Sequence, residues 1–161
     1  MTDDRTERSR RVITQFGERY AAGDPTVWDD LVAADFVNHA AGPQGRDGWR
    51  VTFETLRHDL GDYSTEIHHT LAEGDYVAVH LTLRGRHTAS TMPLLTGVPV
   101  DGAEFAWTFM HLFRIEDGRV AEHWACRDDL GLLQQLGAWR PGSGAPGQSR
   151  PVVPSSSSPA K

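Results

Sequence analysis

The sequence predicts one α+β domain over residues 1–139: three helices, a sheet of long strands and a short closing helix around an apolar, histidine-lined pocket. Two observations predict it. Apolar residues recur at three- and four-residue spacings up to Gly61 and at every second residue beyond it, the periods of a helix and of a half-buried strand. The signatures Glu73-Gly74-Asp75 and Glu116-Asp117-Gly118 then divide the period-two region into hairpins.

From Thr6 to Ala22, the residues Val12, Ile13, Phe16 and Tyr20 form one apolar stripe, and Gly23 stops that helix. Asp24-Pro25 supplies an N-cap and a first-turn proline, so Pro25 to Ala33 reads as a second short helix carrying Trp28 and Leu31. Asp35 to His39 is a brief strand, and Ala41 to Gly45 a loop. Asp47 to Leu60 returns to helical period with Trp49, Phe53, Leu56 and Leu60 on one side. Strands follow over Tyr63–Leu71, Tyr76–Thr88, Phe105–Ile115 and Arg119–Arg127, and the irregular stretch from Ala89 to Pro99, with Met92, forms a pocket rim. Asp128 or Asp129 caps a last helix, Leu130–Leu136, closed by Gly137. Residues 140–161 are dominated by Pro, Gly and Ser, hold too little apolar material to offset ordering entropy, and read as a disordered tail.

Composition excludes several classes. The net charge of −6 argues against nucleic acid as a partner, because phosphate binding draws on clustered positive charge. No apolar run reaches the roughly 20 residues of a membrane span, and the charged N-terminus lacks a secretory pattern, so a soluble, cytoplasmic protein is expected. The single cysteine, Cys126, rules out an internal disulfide and any multi-cysteine zinc site, and reads as a small buried hydrophobe. There is no dinucleotide glycine fingerprint, phosphate loop or nucleophile elbow, and no metal is expected because the histidines lack paired ligand spacing.

Chemistry concentrates in two strands. Alternation puts Phe105, Trp107, Phe109, His111 and Phe113 on one face. In the next strand it puts Glu122, Trp124, Cys126 and Asp128 on one face and Ala121, His123 and Ala125 on the other. Asp128 at the strand's end, beside an aromatic wall, would lose hydration of its charged form and become an acid/base residue near neutrality. The plain alternative is that Asp128 only caps the last helix. His111 and His87, each on an apolar strand face, read either as catalytic groups or as hydrogen-bonded core histidines. Asn38 and His39 read as a pocket-facing pair or as a turn, and His58, His68, His69 and His80 as solvated or interface residues.

The order of elements resembles the cone-shaped nuclear transport factor 2-like fold, with three helices packed on a curved mixed or antiparallel sheet that encloses a pocket. Within it the chain is similar to the SnoaL-like polyketide cyclases, the ester cyclase group. The resemblance spans residues 8–137. It rests on Phe36-Val37-Asn38-His39, Gly85-Arg86-His87-Thr88, Gly97 to Gly102, Phe109 to Arg114, Gly118 to Trp124, and Asp128 with Leu130 to Gly137. It implies intramolecular aldol-type ring closure of a polyketide-derived aromatic ester with no cofactor. Asp128 would be the acid/base, His111, His87 or Asn38 donors to oxyanions, and His39, Phe53, Met92, Trp107, Phe109 and Trp124 the residues holding a hydrophobic or aromatic substrate.

Two adjacent carboxylates, Asp128 and Asp129, compete for the acid/base role, with Arg127 able to pair with either. Relatives of the fold assist hydroxylation or isomerise, so an isomerase, a hydroxylation-assisting protein, an epoxide hydrolase centred on Arg127 with Asp128 or Asp129, or a non-catalytic small-molecule binder stay open. The resemblance also implies a homodimer joined through the outer sheet face, where His80, Thr82 and His123 would meet a partner.

Overall fold

The computed structural model describes residues 4–61 and 63–140. Its order is α1 (Asp4–Ala21), α2 (Val27–Leu31), β1 (Val32–Asn38), α3 (Gly45–Asp59), β2 (Ser64–Glu73), β3 (Tyr76–Arg86), β4 (Glu104–Glu116), β5 (Arg119–Arg127) and α4 (Asp129–Gln135), with a 3₁₀ turn at Pro93–Leu95. The tail expected to be disordered lies, from residue 141 on, outside the described residues.

The five strands form one mixed sheet in the order β1-β5-β4-β3-β2. β2, β3, β4 and β5 pair antiparallel in sequence order, while β1 joins the edge parallel to β5. The sequence predicts all three helices before the sheet and a first strand from Asp35. The structure ends α2 at Leu31 and starts β1 at Val32, whose fully buried, β-branched side chain suits a strand better than a helix end. Asp24 caps no helix; its carboxylate accepts hydrogen bonds from the Thr26 amide and hydroxyl and from Arg19 Nε.

The helices cover one face of the sheet over two apolar clusters. One gathers Val12 and Phe16 of α1, Trp28 and Leu31 of α2, and Trp49 of α3 against Val77, Val79, Phe113 and Val120. The other gathers Leu60, the rim residues Met92, Leu95 and Val98, and Leu132 of α4 against Leu83, Phe105, Trp107 and Phe109. Gly85 lies where the end of α3 crosses β3: a Cβ there would stand 2.9 Å from the Leu60 carbonyl oxygen and 3.2 Å from the Phe105 ring. At the β4–β5 turn, Asp117 and Gly118 both take positive φ, the type I′ geometry that an Asp-Gly pair favours.

The rim from His87 to Ala103 is fixed by a buried carboxylate. Asp59, the last residue of α3, is fully buried. Its carboxylate accepts from the Thr91 amide (2.8 Å), the Thr91 hydroxyl (2.6 Å) and the Met92 amide (2.7 Å), with His58 Nδ1 at 2.9 Å. Burial alone would raise its pKa, yet these hydrogen bonds hold it below the usual carboxylate range.

Candidate functional site

β4 carries the aromatic wall as its alternation requires. Phe105, Trp107, Phe109 and Phe113 are buried on the inner face, and His111 is half-buried between Phe109 and Phe113, whose rings stack on it at 5.2 and 5.7 Å. Phe109 belongs to one apolar cluster and Phe113 to the other, so His111 sits at the seam between them.

The next strand brings in a residue expected on the outer face. His123, 4% exposed, faces in beside His111, not out toward a partner. Strand alternation defines two faces without saying which is inside, and the row Trp124, Cys126, Asp128 looked the more pocket-like. In the structure Trp124 lies on the outer face, stacked on His39 at 4.4 Å with their planes 4° apart. His39 also meets Glu122, its Nε2 2.6 Å from the carboxylate. His39 and Trp124 therefore stand across the sheet from His111, and Cys126, expected to be buried, is exposed. A pattern that would have found His123 is its flanking by Ala121 and Ala125, small residues that leave room for an imidazole on a packed face.

Asn38, His123 and His111 form a chain of hydrogen bonds. Asn38 ends β1 opposite His123 in register, and its Oδ1 lies 3.0 Å from His123 Nδ1. His123 Nε2 lies 2.8 Å from His111 Nδ1. Burial pushes the His123 pKa down to about 3, with further lowering from His111 and His39. Loss of hydration likewise lowers His111 to about 4, assisted by the positive charge of Arg127. Both rings are thus neutral at pH 7. Trp49 of α3 closes the pair from above, 5.2 Å from the His123 ring.

The remaining predicted residues are spread more widely. Asp128 is exposed, and its carboxylate accepts from the Gly131 amide at 2.9 Å as the N-cap of α4, so the loss of hydration expected of it is not found. Arg127 pairs with Asp129 at 3.0 Å and lays its guanidinium 5.3 Å over the Trp107 ring. His87 is fully buried, with Nε2 2.9 Å from the Ser90 hydroxyl, which itself donates to the Val98 carbonyl. That places His87 among the rim's own fastenings. It lies eight residues along from Val79, the β3 partner of His111, roughly 26 Å at about 3.3 Å per residue. Met92 is buried in the same cluster, while Phe53 packs on Phe16, Tyr20, Trp28 and Trp49 in the other.

No inward-facing strand position near the imidazole pair is an Asp or Glu: β5 offers Ala121, His123, Ala125 and Arg127, and Ala125 stands directly opposite His111. Among the described residues no group of three or more His, Cys, Asp or Glu is arranged to hold a metal, and no helix is long and apolar enough to cross a membrane.

A mixed five-stranded sheet backed by three helices, with polar groups gathered on its covered face, defines an NTF2-like cone. The structure of TsrD from Streptomyces laurentii shares it with a TM-score of 0.71 and 28% identity, over 86% of this chain and 100% of that one. Residues 10–136 match the model of the SnoaL-like polyketide cyclase family, and the chain belongs to that family. The chain is 37% identical over 75 residues to the aklanonic acid methyl ester cyclase DnrD of Streptomyces peucetius, covering 42% of this chain and 49% of that protein. It is 36% identical over 75 residues to the nogalonic acid methyl ester cyclase of Streptomyces nogalater, covering 42% and 53%. The aligned stretch thus spans about half the length of the curated relatives it matches.

Proposed function

We propose that this protein is a cofactor-independent polyketide cyclase of natural-product biosynthesis. In this reading it closes a ring of an aromatic polyketide ester by intramolecular aldol reaction, with His111 as the acid/base. The observation that carries the assignment to His111 is its free ring nitrogen. Nδ1 is engaged by His123, while among the described residues nothing hydrogen-bonds Nε2, and the ring is half-buried at the seam of the two clusters.

The steps follow from the chemistry. A carbon between two carbonyls gives its proton to His111 Nε2, and the enolate attacks a second carbonyl of the same molecule. The resulting alkoxide takes the proton back from the imidazolium. Trp107, Phe109 and Phe113 hold the rings of the substrate and exclude water, and positioning supplies much of the rate. Among the described residues the Trp107 Nε1–H is buried without a partner, four residues along the wall from His111, roughly 13 Å at about 3.3 Å per residue. It suits a carbonyl at the far end of a multi-ring substrate.

The test is turnover of aklanonic acid methyl ester and nogalonic acid methyl ester by the purified full chain without added cofactor. His111→Gln should lower kcat by roughly two to four orders of magnitude while the protein stays folded, and Asp128→Asn should keep it. The reverse pattern would return the acid/base role to the Asp128 carboxylate. Tight binding of both esters with no turnover by the unmodified chain would leave a small-molecule-binding role instead.

The same proposal includes a homodimer joined through the outer sheet face and a cytoplasmic setting. Exposed Met110 and Leu112 at the centre of that face support the first, and the exposed free thiol of Cys126, suited to a reducing compartment, supports the second.

A further inference from the structure

We infer that Asn38 and His123 are positioning residues that fix the tautomer of His111, so that its Nε2 lone pair always faces the substrate. This rests on His111 being the acid/base.

The hydrogen bonds determine every proton in the chain. The Ala40 amide donates to the Asn38 side chain at 3.2 Å, and an amide N–H can only donate, so the Asn38 atom there is the oxygen. That oxygen also faces His123 Nδ1, so Nδ1 carries the His123 proton. His123 is neutral, which leaves its Nε2 as an acceptor, and His111 Nδ1 must then be the donor at 2.8 Å. A neutral His111 with its proton on Nδ1 has a bare Nε2. A rotated or alternative tautomer would set two lone pairs or two N–H groups against each other in a packed core, which costs about 1–3 kcal/mol for each polar group left unsatisfied. Register ensures the contact: Asn38 is opposite His123 on β5, and His123 is opposite Phe113, one position diagonally from His111.

When His111 takes the substrate proton, its positive charge is stabilised by the Nδ1–H bond to His123 and, through the polarised ring, by the Asn38 oxygen. That offsets part of the weakness of an imidazole whose pKa is depressed by burial. The charged and titratable groups facing the pair are few: Arg127 near His111, paired with Asp129, and His39 beyond His123, paired with Glu122.

The experiment uses the full chain labelled with ¹⁵N-histidine and long-range proton–nitrogen correlation, with His111→Gln and His123→Gln assigning the two rings. The unmodified protein at pH 7 should show His111 and His123 both protonated on Nδ1 alone. Asn38→Asp keeps the shape and the acceptor but adds a negative charge, so both imidazoles should titrate higher by about 1 pH unit or more. The acidic limb of the kcat/KM profile should move up with them. A residue that merely filled space would leave both readouts where they were. Finding His111 protonated on Nε2, or unchanged titration in a folded Asn38→Asp, overturns the inference. The predicted tautomers in a protein that turns over neither ester would overturn the enzymatic reading and leave the positioning intact.

Discussion

At the scale of single residues, the two neutral imidazoles couple the proposed site to stability. Their folded pKa values, about 4 for His111 and about 3 for His123, lie below the ordinary 6.5. The unfolded chain therefore binds more protons than the folded one between those values, and stability rises with pH across that window. Urea denaturation should show a constant stability above pH 7 and a decline below about 6.5, approaching about 1.4 kcal/mol per pH unit for each imidazole. His123→Gln should flatten that decline. A slope in the mutant equal to that of the parent would show that His123 takes up its proton in the folded state as readily as in the unfolded chain. Asp128 belongs to the same scale. As the cap of α4 it should cost about 1 kcal/mol on changing to Ala and little on changing to Asn.

How far these residues were legible differs from case to case. The inward face of β4 was readable because aromatics at every second position admit one interpretation. The place of His111 on that face was therefore legible, while Asn38 with His39 carried two readings, a pocket-facing pair or a turn, and the structure buries Asn38 alone. His123 was misplaced because alternation fixes partition and not direction, and because Trp124 has a more core-like side chain than its outer position suggests; it packs on His39 instead. Asp128 carried two readings that no spacing separates, since a strand-to-helix junction is where both a cap and a pocket-edge carboxylate occur. The bond to the Gly131 amide, three residues along the chain, is the local N-cap of the plainer of those two readings.

At the scale of elements, the rim between β3 and β4 depends on α3 through Asp59. An acidic residue in the last turn of a helix opposes the helix dipole, so Asp59 there signals that something outside the helix holds it. That signal stands in the sequence beside the apolar stripe of α3. The three donors from Thr91 and Met92 would meet an amide NH₂ in Asp59→Asn, which leaves a buried donor facing donors. A loss of roughly 2–3 kcal/mol is expected, together with faster proteolysis between His87 and Ala103. The carboxylate is depressed in the folded state, so its contribution is complete above the ordinary Asp range and disappears only as pH falls through its folded pKa. That lies in a more acidic range than the onset of the imidazole effect, so the two are separable in one pH series. Cleavage rates in Asp59→Asn equal to those of the parent would show that the rim is held by its apolar residues alone.

At the scale of the whole molecule, the covered and uncovered faces of the sheet carry different chemistry. The inner face holds the aromatic wall and the imidazole chain. The outer face runs through His69, His80, Met110 and Cys126 in one cross-strand row and Ala78, Leu112 and Trp124 in the next. Met110 is 50% exposed and Leu112 37%, and the rings of His68 and His69 lie 4.8 and 5.5 Å from that of His80. A row of apolar and imidazole side chains at the centre of a sheet, with ion pairs such as Arg84–Glu66 and Arg114–Glu122 toward its margins, has the apolar centre and polar rim of a self-complementary interface. Burying it requires every group there to stay uncharged or paired. Light scattering at micromolar concentration and pH 7.5 should therefore give twice the chain mass, and Met110→Asp with Leu112→Asp should give the single mass without loss of fold. A monomer at pH 7.5, or a dimer indifferent to both aspartates, would place the interface elsewhere or remove it.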